Sequence, residues 1–141
     1  MKIILLITLF IIQSAKAKDI VFERQVKRVI DGDTIELKTD EESGLIAYLG
    51  YNIRLLGIDT PELHSKSKCE KQLATNAKKY LEQLLKPDTP IKIINPKWDK
   101  YGGRINAYIE VGGENITKKL IKEGYGIEYY GDKKVIKWCN D

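Results

Sequence analysis

The sequence has few of the residues that many enzyme sites require, with one histidine and two cysteines among 141 residues. A single histidine, His64, excludes a mechanism that uses two histidines as acid and base, and we interpret it as a loop residue. No Gly-x-Ser-x-Gly elbow occurs, so a serine triad has no support. Two distant cysteines and one histidine are also too few ligands, at the wrong spacing, for a zinc site.

Long hydrophobic runs are missing as well, apart from Ile3–Ile12 at the N-terminus. This run follows Met1-Lys2 and precedes Ala15-Lys16-Ala17, a small-residue cleavage pattern. The segment predicts a secretory signal peptide over residues 1–17. A run this short does not span a bilayer comfortably, because a spanning helix needs about 20 apolar residues. The signal peptide predicts a secreted or periplasmic protein. An uncleaved N-terminal anchor is the alternative, and either one places the domain outside the cytoplasm.

The charge balance gives only a weak indication of partners. The formal net charge is +4, and two of the lysines, Lys2 and Lys16, lie in the predicted signal peptide. Net charge therefore does not argue for nucleic acid, and the placement of particular charges must do so. The composition, 43% hydrophobic and 31% charged, is typical of a globular protein. The length of 141 residues is enough for one domain, predicted over residues 18–141.

Both cysteines, Cys69 and Cys139, lie in the predicted exported part. Two cysteines in an oxidising compartment usually pair. Such a bridge would close a loop of about 70 residues, which the chain-entropy model values at about 4 kcal/mol.

Alternation of apolar and polar residues predicts strands, and intervals of three and four predict helices. The β-rich stretches are Val21–Val29, Thr34–Leu37, Leu45–Ile58, Ile91–Ile94 and Arg104–Val111, with a polar loop expected over residues 38–44. A helix is expected after Ser67, which with Glu70 forms a capping box, and Lys86-Pro87 should end it.

Further helices are predicted near the C-terminus. One runs over Thr117–Glu123 with Thr117 as its cap, and Lys133–Trp138 suggests a final helical turn. Asn115-Ile116-Thr117 fits the glycosylation sequon, but we interpret this segment as a helix cap. Five short strands with one helix after the third match an OB barrel. The sequence thus predicts an α+β fold, a five-stranded OB-fold β-barrel with about three helices.

Two acidic turns carry the candidate metal ligands. Asp31 and Asp33 flank a glycine, whereas Asp59 and Glu62 flank Thr60 and a proline at the end of an apolar run. On adjacent strands these turns could meet at one rim of the barrel. Oxygen ligands alone select a hard cation, calcium or magnesium. The alternative is two solvated turns, since such residues are common turn formers.

Two arginines are the candidate phosphate ligands. Arg54 lies among apolar residues of a predicted strand, and a buried arginine needs an anion from protein or substrate. Arg104 follows Gly102-Gly103, where the backbone can bend to let a ligand approach. Guanidinium groups bind phosphate in bidentate fashion. The alternative is that each arginine forms a structural ion pair with a carboxylate.

Blocks of sequence in a fixed order indicate the family. They are Val29–Ile35, Ile53–Glu62, Asp99–Arg104 with Ala107–Ile109, and Leu120–Gly124. Together they closely resemble the staphylococcal nuclease (thermonuclease) family over most of residues 26–130. The ending Trp138-Cys139, with Cys69 near the helix start, resembles the disulfide-bearing bacterial branch of that family.

The resemblance implies a calcium site. By position, Asp33 and Asp59 would be its carboxylate ligands and the Thr60 carbonyl a further ligand. Glu62 would hold or activate the attacking water.

The resemblance also implies a set of substrate contacts. Arg54 and Arg104 would bind the scissile phosphate. Lys100 and Tyr101 would contact a neighbouring phosphate, and Tyr130, or alternatively Tyr129, would line the base or sugar pocket.

The activity implied is hydrolysis of DNA and RNA to 3′-phosphate-ended nucleotides and oligonucleotides by a monomer without an obligate protein partner. A preference for single strands is expected, because OB grooves combine cationic walls with aromatic stacking. The alternative is a non-catalytic nucleic-acid-binding OB module. Retention of both acids, both arginines and Glu62 favours the enzyme. A secreted structural protein has only the generic fold in its favour.

Overall fold

The structure is a computed structural model that describes residues 18–39, 52–131 and 137–139. The predicted signal peptide, most of the predicted loop at 38–44 and most of the predicted helical turn at 133–138 lie outside these residues. Within the described part, no helix is long and apolar enough to cross a membrane.

The described residues form eight strands and two helices. In chain order these are β1 Val21–Val29, β2 Thr34–Leu37, β3 Asn52–Leu55, β4 Ile58–Asp59, α1 Lys68–Leu84, β5 Pro90–Trp98, β6 Ile105–Val111, β7 Glu114–Asn115, α2 Ile116–Lys122 and β8 Ile127–Glu128.

Five of the strands close into a barrel. Their order is β3-β2-β1-β5-β6, with antiparallel neighbours throughout. A parallel pairing of β3 with β6, in which Ile53 lies opposite Ile105, closes the barrel. The short β7 extends β6, and β4 pairs with β8 in a separate ribbon. The predicted five-stranded OB barrel is confirmed.

The core fills the barrel and reaches the helices. Alternate residues of the strands point inward, as the period of two requires. Its fully buried side chains include Val26, Ile35, Ile53, Leu55, Ile58, Leu81, Leu85, Ile91, Ile109, Ile116 and Leu120.

Helix α1 begins as the sequence predicts. The Ser67 hydroxyl accepts a hydrogen bond from the Glu70 amide at 3.3 Å. Ala74, Ala77 and Leu81 are buried at helical spacing, and the helix ends just before Lys86-Pro87. The predicted disulfide between Cys69 and Cys139 is present, with 6.3 Å between the two Cα atoms.

Helix α2 begins differently from the prediction. Its N-cap is Asn115, whose side chain accepts a hydrogen bond from the Lys118 amide at 3.0 Å. Thr117, predicted as the cap, is buried within the helix, and its hydroxyl donates to the Leu56 carbonyl at 3.0 Å. Asn115 ends β7 in an extended conformation, which lets its side chain face the amides of the first turn.

Candidate active site

The turn between β1 and β2 packs tightly against the Thr60 segment and α1. A Cβ atom on Gly32 would lie 2.8 Å from Thr60 Oγ1 and 3.0 Å from Ala77 Cβ. Contacts this short are unfavourable for any side chain, so only glycine lets the turn approach. Asp31 Oδ1 accepts a hydrogen bond from the Asp33 amide at 3.1 Å, which fixes the turn.

Arg54 on β3 joins the two acidic turns. Its Nη2 atom lies 3.1 Å from Asp33 Oδ2 and 3.6 Å from Asp59 Oδ1. Asp33 is only 7% exposed and Asp59 only 4% exposed. The alternative of two solvated turns is therefore wrong, because both carboxylates are buried and face the same guanidinium group.

Burial makes Asp33 an unusual carboxyl group. Removal from water raises its pKa to about 7, although the charge of Arg54 opposes this rise and that of Asp31 adds to it. The Thr34 hydroxyl also donates to Asp33 Oδ1 at 2.9 Å. Arg54 therefore does not fully offset the cost of burying ionised Asp33, and a cation bound at this rim of the barrel would stabilise the ionised form.

The turn between β5 and β6 presents Arg104. Its Nε atom donates to Asp99 Oδ2 at 2.7 Å, while the Tyr101 amide donates to Asp99 Oδ1 at 3.0 Å. These two hydrogen bonds hold the pKa of Asp99 below its usual range, and the bond from the Tyr101 amide has the larger effect. Gly102 and Gly103 both have positive φ angles, 75° and 76°, which glycine adopts without strain.

Both arginines form ion pairs with carboxylates, as the alternative interpretation of the sequence expected, but their side chains differ in exposure to water. The Arg54 side chain is 18% exposed and the Arg104 side chain 39% exposed. Asp99 binds Arg104 through its Nε atom, and Arg104 also lines the cleft that these elements form. An ion pair of this kind orients a guanidinium group and is compatible with phosphate binding.

Glu62 lies on an exposed loop that α1 anchors. The Glu62 amide donates to Glu70 Oε1 at 3.1 Å, and the Ser65 hydroxyl donates to Glu70 Oε2 at 2.5 Å. Glu70 thus ties the loop to the first turn of the helix. His64 is exposed in this loop, as expected.

These elements enclose a cleft of ≈ 540 Å³. The cleft brings together every residue that the sequence nominated for metal or substrate binding. Those residues are Asp33, Arg54, Asp59, Thr60, Glu62, Lys100, Tyr101, Arg104, Tyr129 and Tyr130.

Aromatic side chains line the outer part of the cleft. Tyr130 is 64% exposed, and its hydroxyl donates to Glu128 Oε1 at 3.0 Å, a bond that raises the pKa of Tyr130. Tyr101 is 82% exposed, with Lys100 Nζ 4.9 Å from its ring centroid. Tyr129 lines the same cleft, so both candidate tyrosines for the base pocket remain.

Sequence reasoning assigned no role to several cleft residues, among them Asp99, Lys97 and Trp98. Asp99 received no role, although an aspartate that accepts from the amide two residues later is ordinary turn chemistry and could have indicated one. Lys97 and Trp98 also line the cleft. Neither carried a signal, because both lie beyond the strand predicted over Ile91–Ile94, where a lysine and a tryptophan match no motif.

A closed five-stranded barrel with a charged cleft at one rim defines the OB-fold class, whose members bind oligonucleotides and oligosaccharides. Residues 52–137 match the family described as Staphylococcal nuclease homologue, and the chain belongs to that family. The matched region begins after Asp33, so the place of Asp33 in the site rests on its contact with Arg54.

Individual relatives agree with the family match. An uncharacterized protein of Methanocaldococcus jannaschii is 33% identical over 74% of this chain and 58% of its own length. The endonuclease YhcR of Bacillus subtilis is 34% identical over 77% of this chain and 9% of its own length. The thermonuclease of Staphylococcus intermedius is 36% identical over 70% of this chain and 55% of its own length. The chain thus aligns with 58% or less of each of these relatives.

Proposed function

We propose that this chain is a nuclease that hydrolyses phosphodiester bonds in DNA and RNA. One observation carries the proposal: Arg54 contacts both Asp33 and Asp59, in a cleft that Arg104 and Glu62 also line. Two buried carboxylates and two guanidinium groups in one cleft suit phosphoryl transfer, because the acids can hold a cation and the arginines can stabilise charge on the phosphate oxygens. Relatives named as thermonuclease and endonuclease support the same reading.

We propose calcium as the cofactor. Asp33 and Asp59 offer oxygen atoms only, and when both are ionised their two negative charges exceed the single positive charge of Arg54 between them. Among the described residues, no three His, Cys, Asp or Glu side chains are grouped to hold a metal ion. The Thr60 carbonyl and water would therefore complete the ligand set, which suits a hard cation. A bound cation would neutralise phosphate charge and polarise a phosphoryl oxygen.

Three side chains of the cleft carry the remaining steps of hydrolysis. Arg54 and Arg104 bind the scissile phosphate and stabilise charge that develops on its oxygens. Glu62 accepts a proton from the attacking water, the water oxygen bonds to phosphorus, and the P–O5′ bond breaks. The products carry a 3′-phosphate and a 5′-hydroxyl, the latter protonated from solvent.

Substrate contacts outside the reacting phosphate favour single strands. Lys100 and Tyr101 contact a neighbouring phosphate, and Tyr130 or Tyr129 lines the base or sugar pocket. An open cleft with exposed aromatic rings suits unpaired bases, which a duplex keeps inside. We propose that the enzyme acts as a monomer.

A single digest tests the proposal. Purified protein (residues 18–141) is incubated with single-stranded DNA in calcium or in chelator, and product ends are analysed. Cleavage in calcium only, with 3′-phosphate ends, is expected. Binding without cleavage would instead support the non-catalytic OB module.

We also propose that the protein is secreted or periplasmic. The N-terminal signal pattern and the Cys69–Cys139 disulfide support this location, because disulfides persist in oxidising compartments. N-terminal sequencing of protein from the culture medium or periplasm should give a start at Lys18. A membrane fraction that retains Met1 would instead indicate the uncleaved anchor.

A further inference from the structure

Exposed aromatic rings concentrate in the cleft. In the described ranges, the large apolar side chains most exposed to water are Ile20, Val21, Leu73, Trp98, Tyr101 and Tyr130. The three aromatic ones all line the cleft, and the three aliphatic ones do not. Apolar surface gathered at one place, rather than scattered singly, indicates a binding site.

Trp98 has the largest of these rings, and contacts on both sides hold its backbone in place. It is 56% exposed and ends β5, where it pairs with Ile105 of β6. The next residue, Asp99, is buried and accepts hydrogen bonds from the Tyr101 amide and from Arg104. Since the backbone is fixed on both sides of Trp98, binding a ligand there requires little ordering of the main chain.

Two lysines line the same cleft as Trp98. Lys97 and Lys100 are exposed cleft residues close to Trp98 in the chain. Aromatic rings combined with cations form the usual binding surface for single-stranded nucleic acid, in which bases stack on the rings and phosphates contact the cations. An apolar ligand without charge would not need the two lysines.

We propose that Trp98, with Lys97, forms a stacking subsite for one base of a single-stranded nucleic acid, outside the nucleotide that is cut. The nature of this ligand rests on the proposed nuclease function. The subsite gives the enzyme an additional preference for strands long enough to reach Trp98. A base-paired strand cannot use it, because its bases are stacked within the duplex.

Tryptophan fluorescence tests the stacking directly. The chain has two tryptophans, Trp98 and Trp138. Oligodeoxythymidine is added to the purified protein in chelator, which prevents cleavage. Saturable quenching is expected, smaller quenching with a duplex of equal length, and loss of the saturable signal in Trp98→Phe. Quenching that persists in Trp98→Phe would come from Trp138 and would overturn the proposal.

Binding by variants gives a second measurement. Trp98→Ala should weaken binding of fluorescently labelled oligodeoxythymidine about tenfold, the usual loss when a stacking ring is removed. Trp98→Phe, which keeps a ring, should bind more tightly than Trp98→Ala. The matched control is Leu73→Ala, an exposed apolar residue on α1 outside the cleft, which should bind like wild type. Equal affinity of Trp98→Ala and Leu73→Ala would overturn the subsite.

Substrate length separates this inference from the proposed function. In Trp98→Ala, kcat/KM for a long single strand should fall about tenfold relative to kcat/KM for a dinucleotide, which has no base beyond the two that flank its one phosphodiester bond. A wild-type protein that cleaves nothing would refute the nuclease, while quenching and affinity would still decide the subsite. A wild type that cleaves normally, with an unchanged length ratio in Trp98→Ala, would refute the subsite alone.

Discussion

The two arginines of the cleft are anchored by different carboxylates, and this difference predicts different roles. Arg54 lies between two buried acids, Asp33 and Asp59, so much of its charge is already balanced. Arg104 pairs with one acid, Asp99, and stays more exposed to the cleft. Charge that is held in place but still accessible is what a transition state can use. Arg104 should therefore act more strongly on the chemical step.

Replacement of Arg104 by alanine should abolish most cleavage and leave the fold intact. Loss of one preorganised donor typically lowers kcat by about 100- to 1,000-fold. The matched control is Arg28→Ala, which breaks an exposed ion pair with Glu36 on the barrel and should keep activity. Circular dichroism checks the fold of both variants. Near-normal activity in Arg104→Ala would rule out its role.

Asp99 is expected to act through Arg104. In Asp99→Asn the amide can still accept from the Tyr101 amide, but it no longer carries charge to hold Arg104. We expect kcat/KM to fall, and Asp99→Asn should add little to the loss in Arg104→Ala, because the two side chains act as a unit. Fully additive losses in the double variant would contradict this dependence.

The lowered pKa of Asp99 adds a test by pH. A carboxyl group whose pKa is lower in the folded state stabilises the fold at pH values above its unfolded-state pKa, which is about 3.9. This stabilisation is lost as the pH falls through the folded-state pKa. The Tm advantage of wild type over Asp99→Asn should therefore be full near neutral pH and shrink in acid below about pH 4. A constant difference across that range would show that the charge of Asp99 is not involved.

At the scale of elements, the sequence predicted the strands that follow from alternation of apolar and polar residues and the helix start that follows from capping. The β1 and β2 strands and the Ser67 cap follow from local pattern, and the structure has them. Strand β5 was predicted over Ile91–Ile94, and the Asn95-Pro96 that follows is an ordinary turn signal. It continues to Trp98 because pairing with β6 carries it across an irregularity between Ile94 and Lys97. Tertiary pairing overrides the local signal there.

The meeting of the acidic turns was predictable only in part. The local sequence pattern predicted two acidic turns but not their relative position. The resemblance to a family predicted that they form one site. The physical reason for their approach is the missing side chain of Gly32 against Thr60 and Ala77. Such a contact joins residues far apart in the chain, so no local pattern reports it.

Gly32→Ala should test this approach. The added methyl group would meet Thr60 Oγ1 at 2.8 Å, and overpacking of this kind costs about 1–3 kcal/mol. We expect a lower free energy of unfolding and a higher calcium concentration for half-maximal cleavage, because the Asp33 turn is pushed away from Thr60. Denaturant unfolding and a calcium titration measure the two effects.

The control for that experiment is Gly112→Ala in the β6–β7 turn. Its φ angle is 57° and a Cβ there would meet open space, so it should cost stability through backbone strain alone. Its calcium requirement should stay that of wild type. A normal calcium requirement in Gly32→Ala would show that the close packing of the turn is unimportant for the site.

For the whole molecule, barrel closure places three distant turns at one rim. Asp33 follows β1, Asp59 ends β4 and Arg104 precedes β6, yet all line the same cleft. The disulfide joins Cys139, near the C-terminus, to the first turn of α1. In that same turn Glu70 holds the Glu62 loop. The bridge therefore stabilises the fold from a position close to the site.

Replacement of both cysteines by serine should separate stability from chemistry. The bridge spans 70 residues, and the chain-entropy model assigns such a loop about 4 kcal/mol. We expect the free energy of unfolding to fall by up to that amount in denaturant titrations, and wild type in reductant should behave alike. Because Glu70 anchors the Glu62 loop without help from sulfur, the variant should cleave normally at temperatures where it is folded. A folded variant with impaired cleavage would show instead that the bridge also positions Glu62.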